Sequence, residues 1–152
     1  MKKVVMLVCA VCFAAFAFAQ DAAEKFNQAA EAMKAKDYAK AFELYESAMA
    51  NKGDVEVPDA INFNIGFAAY NSKNYQKAVG YFDKAIAAKA NVAKALDYQA
   101  RSYTKLKDYA NAVACYEKAI EVADDSKSLV YNAGIAAYKG KLNEKAVAFF
   151  TT

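Results

Sequence analysis

The sequence predicts an all-α fold, an α-solenoid of antiparallel helix pairs with three full repeats and a truncated fourth. Three observations predict it. A short phrase recurs as Asp37-Tyr38-Ala39-Lys40-Ala41, Asn74-Tyr75-Gln76-Lys77-Ala78 and Asp108-Tyr109-Ala110-Asn111-Ala112, with a weaker copy at Leu142-Asn143-Glu144-Lys145-Ala146. Its closing alanines stand 37, 34 and 34 residues apart, a period that marks stacked supersecondary units. Alanine, lysine, glutamate and aromatics dominate the chain, which favours helix, and nothing reads as a strand ladder.

The first 19 residues read as a separate segment. Lys2 and Lys3 precede an unbroken apolar run, Val4 to Ala19, that closes on Ala17-Phe18-Ala19. A basic start, an apolar stretch and a small-x-small end make a secretory signal, cleaved after Ala19. The run is short for a membrane span, which needs about 20 apolar residues; an uncleaved anchor is the alternative reading. Cys9 and Cys12 lie within it, and the residues before them match a lipoprotein cleavage box poorly. The expectation is an exported, periplasmic chain beginning at Gln20.

Export changes the charge reading. Removing Lys2 and Lys3 from 20 basic residues, against 17 acidic ones, leaves a net charge of +1. No stretch of the remainder is a basic run, so neither nucleic acid binding nor direct membrane binding after cleavage is expected. Cys115 becomes the lone cysteine, unable to form an intramolecular disulfide, and its apolar helical setting marks it as a small core residue.

The remainder makes one solenoid domain, 20–152, with repeats at about 22–55, 59–92, 93–126 and 127–152. The link 56–58 is extra, and Asn51 to Val57 form a loop. In the second unit Ile61, Ile65, Ala68 and Ala69 recur at helical spacing; Asn74-Tyr75 interrupts; Ala78, Phe82, Ala85 and Ile86 resume the period. Two helices joined by a tight turn make an αα-hairpin. The turn Asp or Asn is suited to capping the second helix, and Pro58 predicts a helix start near Asp59. Eight residues before each turn stand Ala29, Gly66, Ala100 and Gly134; four after it Ala41, Ala78, Ala112 and Ala146; eight after it Tyr45, Phe82, Tyr116 and Phe150. Small residues are expected to face small residues at the helix crossing, with the ring filling the space beyond.

These residues in joint register resemble the tetratricopeptide-repeat family, over essentially all of Asp21 to Thr152. The family's tryptophan and closing proline are absent. The fourth copy ends on Val147-Ala148-Phe149-Phe150, short of a full second helix. Repeat arrays need a polar terminal cap, so the expectation is a fragment of a longer array, such as the accessory repeat region of a larger protein, or a scaffold piece whose open face is covered by a partner or by another copy.

Catalytic chemistry finds little support. Histidine is absent, which removes the usual general base and the commonest metal ligand. Cys115 has no activating partner, Asp124-Asp125 read as a polar turn, and no phosphate loop or metal-binding spacing appears. The expectation is a protein that is no enzyme and takes no cofactor or metal.

The resemblance implies that the first helix of each unit lines a concave groove. Ten residues before the turns stand Asn27, Asn64, Tyr98 and Asn132, preceded by Phe26, Phe63, Asp97 and Tyr131. Phe67, Tyr70, Arg101 and Tyr138 fall on or near the same face. Asparagine offers a donor and an acceptor for an extended main chain. The candidate partner-binding residues are thus Asn27, Phe63, Asn64, Phe67, Tyr70, Lys94, Arg101, Tyr131, Asn132 and Tyr138, and the partner is a protein or peptide. The other reading of Phe26 and Phe63 is packing against neighbours. Of the basic and amide clamp that chaperone-binding members use for a terminal carboxylate, only Asn64 and Lys94 match; Phe26, Ala30 and Tyr98 replace the rest.

Overall fold

The computed structural model describes residues 20–53 and 56–151. The expected signal segment, with Cys9 and Cys12, lies outside them, as do Asp54 and Val55 of the loop. Every regular element among the described residues is a helix: α1 (20–34), α2 (Tyr38–Asn51), α3 (Ile61–Asn71), α4 (Tyr75–Ala87), α5 (Val92–Lys105), α6 (Tyr109–Val122), α7 (Lys127–Lys139) and α8 (Asn143–Thr151). The chain divides after Val57 into two compact units. The first holds the pair α1 and α2, the second the three pairs from α3 to α8.

One local device closes the first helix of each pair and starts the second. At the end of α5 the Lys107 amide donates to the Thr104 carbonyl at 3.1 Å, and the Asp108 amide to the Tyr103 carbonyl at 2.9 Å. This is a Schellman motif, with the residue at its corner in left-handed backbone. That residue is a lysine in every pair: Lys36 (φ 60), Lys73 (φ 66), Lys107 (φ 64) and Lys141 (φ 59). In the first three pairs the Asp or Asn that follows then begins the second helix; in the fourth, Leu142 stands there. Asp37 and Asp108 cap as expected, their carboxylates accepting from the Lys40 and Asn111 amides. Asn74 departs from the expectation and makes no side-chain cap bond; its amide donates to the carbonyl and hydroxyl of Ser72 instead.

Two boundaries also differ. Helix α3 starts at Ile61, two residues after the expected Asp59, because Pro58 and Asp59 open a turn whose carbonyls accept from the Ile61 and Asn62 amides. Asn51 belongs to α2 rather than to the loop, with its side-chain amide on the Ser47 carbonyl at 2.8 Å. The expected polar turn at Asp124-Asp125 is present, and the Asp125 carboxylate accepts from the Lys127 amide.

In the second unit each helix packs mainly on the next in sequence, and α3 also reaches α5. Ile65, Ala68, Ala69, Ala78, Phe82 and Ala85 are fully buried. Cys115 lies with Leu96, Val113, Tyr116 and Leu129 in the shared core of α5, α6 and α7. The crossing differs from the small-on-small expectation. The ring of Phe82 sits directly on Gly66, and that of Phe150 on Gly134. Glycine at these places leaves the room the ring fills, and the fully buried Phe82 ring contributes about 1.5–3 kcal/mol. In the first unit α1 buries Ala22, Ala29 and Ala32, and Phe26 packs on Tyr45 with ring centroids 6.3 Å apart.

Candidate functional site

The first helices of the second unit converge on a hollow of about 150 Å³ lined by Tyr70 of α3, Arg101, Thr104 and Lys105 of α5, Tyr116 of α6 and Asn132 of α7. Three of the expected groove residues, Tyr70, Arg101 and Asn132, are thus brought to one place. The stacking of α3, α5 and α7 does this, and on α5 helical spacing sets Lys105 one turn beyond Arg101.

Tyr98 organises the wall. Its ring meets Phe67 edge-on at 5.0 Å and Tyr70 at 5.4 Å, and stacks on Phe82 at 6.0 Å. Phe63 touches the same ring at 6.3 Å and Phe82 at 5.9 Å. Phe63 and Phe67 are therefore half-buried wall residues packed on neighbouring rings. Arg101 lies over the Tyr98 face at 5.3 Å, a cation–π contact, and its Nε donates to the Asp97 carboxylate at 2.9 Å. Burial works against the guanidinium charge, but Asp97 more than offsets it and the pKa of Arg101 is raised. Burial also raises the Tyr70 hydroxyl, with Arg101 pulling the other way. At the floor, burial pushes the Tyr116 phenol well above its ordinary value, with Asp97 adding to the effect; Arg101 and a hydrogen bond with Thr104 oppose it.

The remaining expected residues stand apart from this hollow. Asn64 and Lys94 are exposed on α3 and α5 and do not line it. Tyr131 packs against Phe150 at 6.3 Å, and Tyr138 is 72% exposed beyond the lining. Asn27 belongs to the first unit, where it lines a broad depression with Glu24, Ala30, Glu31 and Ala35. Thr104, Lys105 and Tyr116 were not singled out for the site by the sequence reading. Tyr98 stood in the asparagine register and was read only as a departure from the clamp; its aromatic character there was the available signal.

A second polar feature was invisible in the sequence. Gln99, 4% exposed, donates to the Asp83 carboxylate at 2.6 Å and accepts from the Cys115 thiol at 3.3 Å. It ties α4, α5 and α6 together. Burial pushes the Cys115 thiol up to about 11, while Lys118 lowers it; so raised, it is a poor nucleophile. Among the described residues no group of three or more acidic or cysteine side chains is placed to hold a metal ion.

Paired helices, Schellman turns recurring every 34 to 37 residues and a hollow lined mainly by first helices define an α-helical repeat protein of the solenoid class. Tetratricopeptide-repeat family models match residues 26–93 and 93–126, and the chain belongs to the tetratricopeptide-repeat (TPR) family. The crystal structure of a TPR repeats protein from Bacteroides fragilis NCTC 9343 resembles it with a TM-score of 0.64 at 25% identity, over 86% of this chain and 61% of that one. The chain thus spans 61% of that protein's length. The N-terminal domain of stress-induced protein-1 (STI-1) from C. elegans shares the fold, with a TM-score of 0.59 at 20% identity over 79% of this chain and 97% of that domain. No curated protein matches the chain significantly. Proteins of this family generally mediate protein–protein interaction and are generally non-catalytic scaffolds.

Proposed function

We propose that the chain is an exported, non-catalytic interaction module of the cell envelope that docks a peptide segment or partner helix in the hollow between α3, α5 and α7. One observation carries this reading. Tyr70, Lys105 and Asn132 present polar groups with no hydrogen bond among the described residues, beside an Arg101 whose one hydrogen bond is from Nε. Such donors beside an aromatic wall suit the carbonyls and apolar side chains of an extended segment. The test is capture of partners from an envelope extract by the full chain and by Arg101→Ala, Asn132→Ala and Asn27→Ala variants. The first two are expected to lose a partner that Asn27→Ala retains. Equal capture by all three variants and the parent sinks the reading.

A second reading is association between copies through α8, favoured by the exposure of Val147 (62%) and Phe150 (52%). Sedimentation of Phe150→Glu beside the parent tests it: the parent associates with concentration and the variant does not.

A further inference from the structure

The small net charge conceals a sorting of charge by the fold. In a stack of antiparallel pairs, every turn from a first helix to its second emerges on the same edge. In the second unit these turns carry Lys73, Lys105, Lys107, Lys139 and Lys141, all exposed and none with an acidic partner among the described residues. Lys145 extends the row while bonded to Glu117 at 2.7 Å. The acids on this edge are Asp108, whose carboxylate is engaged by Asn111, and Glu144. The opposite turns hold Asp59, Glu121, Asp124 and Asp125 among fewer lysines. Lys73, Lys107 and Lys141 occupy the left-handed corners, so the backbone fixes their positions at the tips of the turns.

The same edge exposes apolar side chains. Leu106, 38% exposed, lies between Lys105 and Lys107, and Tyr138, 72% exposed, precedes Lys139. Lysines at the tips with a leucine and a tyrosine between them match the boundary of a bilayer, where cations meet phosphates and amphipathic rings sit at headgroup level. Arg101, the sole arginine, faces the hollow rather than the edge; the edge therefore offers point charges instead of the bidentate forks that favour nucleic acid. No helix among the described residues is long and apolar enough to cross a membrane, so the contact is peripheral. We infer that the turn edge of the second unit docks on an anionic lipid surface; Lys105, which also lines the hollow, stands where the two surfaces meet. This departs from the expectation drawn from net charge alone.

The test uses the full chain with vesicles of phosphatidylglycerol and phosphatidylcholine in equal parts, or of phosphatidylcholine alone, read by co-sedimentation at low and high salt. The expected result is binding to the anionic vesicles only, weakening as salt rises. Each lysine near such a surface is worth about fivefold in affinity. Reversal of Lys105, Lys107, Lys139 and Lys141 to Glu is therefore expected to lower binding by about a hundredfold or more. Reversal of Lys84, Lys89, Lys118 and Lys127, which lie elsewhere, is expected to cost far less, and Leu106→Ser with Tyr138→Ser to weaken binding without changing its salt dependence. If the fourfold variant loses its helical circular dichroism, Lys107→Gln and Lys141→Gln replace it, each expected to cost a few-fold. Failure of the parent to bind anionic vesicles at low salt overturns the inference, as does equal loss in both charge-reversed sets. Equally tight binding of a single-stranded oligonucleotide, lost in the same variant, overturns it in favour of a general polyanion edge.

Discussion

The ring of Phe82 rests on the bare Cα of Gly66: a Cβ at that position would stand 2.8 Å from the ring's Cε1. Gly134 stands in the same relation to Phe150, at 2.7 Å. The two contacts differ in how far the ring can yield. Phe82 is fully buried, whereas Phe150 is 52% exposed. Gly66→Ala is therefore expected to destabilise by about 1–2 kcal/mol through overpacking, net of the helix preference for alanine. Gly134→Ala lets the ring swing outward and keeps the helix gain, about 0.5–1 kcal/mol of stabilisation. Urea unfolding of the two variants checks the opposite signs; the same sign for both means that ring burial does not decide the outcome.

The fold was legible because the repeated phrase marks architecture. Asp37, Tyr38 and Ala41 and their equivalents recur where the turn, the cap and the crossing recur, so periodicity alone located every pair. The site was only partly legible. Tyr70, Arg101 and Asn132 come from three helices, and their meeting depends on how α3, α5 and α7 stack, which no local pattern states. The corner lysines were missed although Lys36, Lys73, Lys107 and Lys141 repeat as faithfully as the alanines. Lysine is not a turn-former, and only the positive φ shows what it does. Gln99 was missed for the opposite reason, since its register equivalents Gln28, Ile65 and Ala133 show no shared chemistry.

A lysine at a left-handed corner carries a backbone cost that glycine avoids. Lys107→Gly relieves strain of about 1–2 kcal/mol, partly offset by the greater freedom of glycine in the unfolded chain. A net stabilisation of about 0.5–1 kcal/mol is expected, seen as a higher urea midpoint with an unchanged slope. A lower midpoint would mean that the lysine makes a stabilising contact beyond its backbone role.

The turn residues are not equivalent as caps. Asp108 accepts from the Asn111 amide at 3.2 Å and from its side chain at 2.7 Å, while the side chain of Asn74 turns back to Ser72. Asp108→Ala is expected to cost about 1 kcal/mol and Asn74→Ala less than half of that. Thermal unfolding of both at matched pH is the measurement, and equal losses refute the distinction.

Alkaline conditions are expected to weaken the fold. Burial raises the Cys115 thiol from its ordinary 9.0 to about 11, and also raises Tyr45 and Tyr116. Between those thiol values the unfolded chain gives up a proton that the folded chain keeps, so stability is fully present below pH 9 and falls as pH rises towards 11. Cys115→Ser removes the thiol from this titration while keeping a hydroxyl donor for Gln99, and is expected to flatten the decline. By the same reasoning iodoacetamide at pH 8 should modify native Cys115 about a hundredfold more slowly than the unfolded thiol.

The buried tie at Gln99 gives the sharpest test of polar packing. Its side-chain amide donates to Asp83 at 2.6 Å while its carbonyl accepts from Cys115. Gln99→Glu keeps the shape but replaces the donor with an oxygen, setting two carboxylates at hydrogen-bond distance with one of them buried. Burial and the like charge both raise the pKa of the new carboxyl, so at pH 7 the variant is expected to lose about 2–4 kcal/mol. The loss is absent below the ordinary glutamate value of about 4.3 and grows as pH rises through the higher folded value. Unfolding temperatures of variant and parent should therefore converge on acidification and separate at neutrality. Gln99→Leu, which removes donor and acceptor together, is expected to cost less at pH 7, because Asp83 is exposed and water can satisfy it. If Gln99→Glu proves as stable as the parent at pH 7, Asp83 swings freely into solvent, and the contact does not hold α4 to α5.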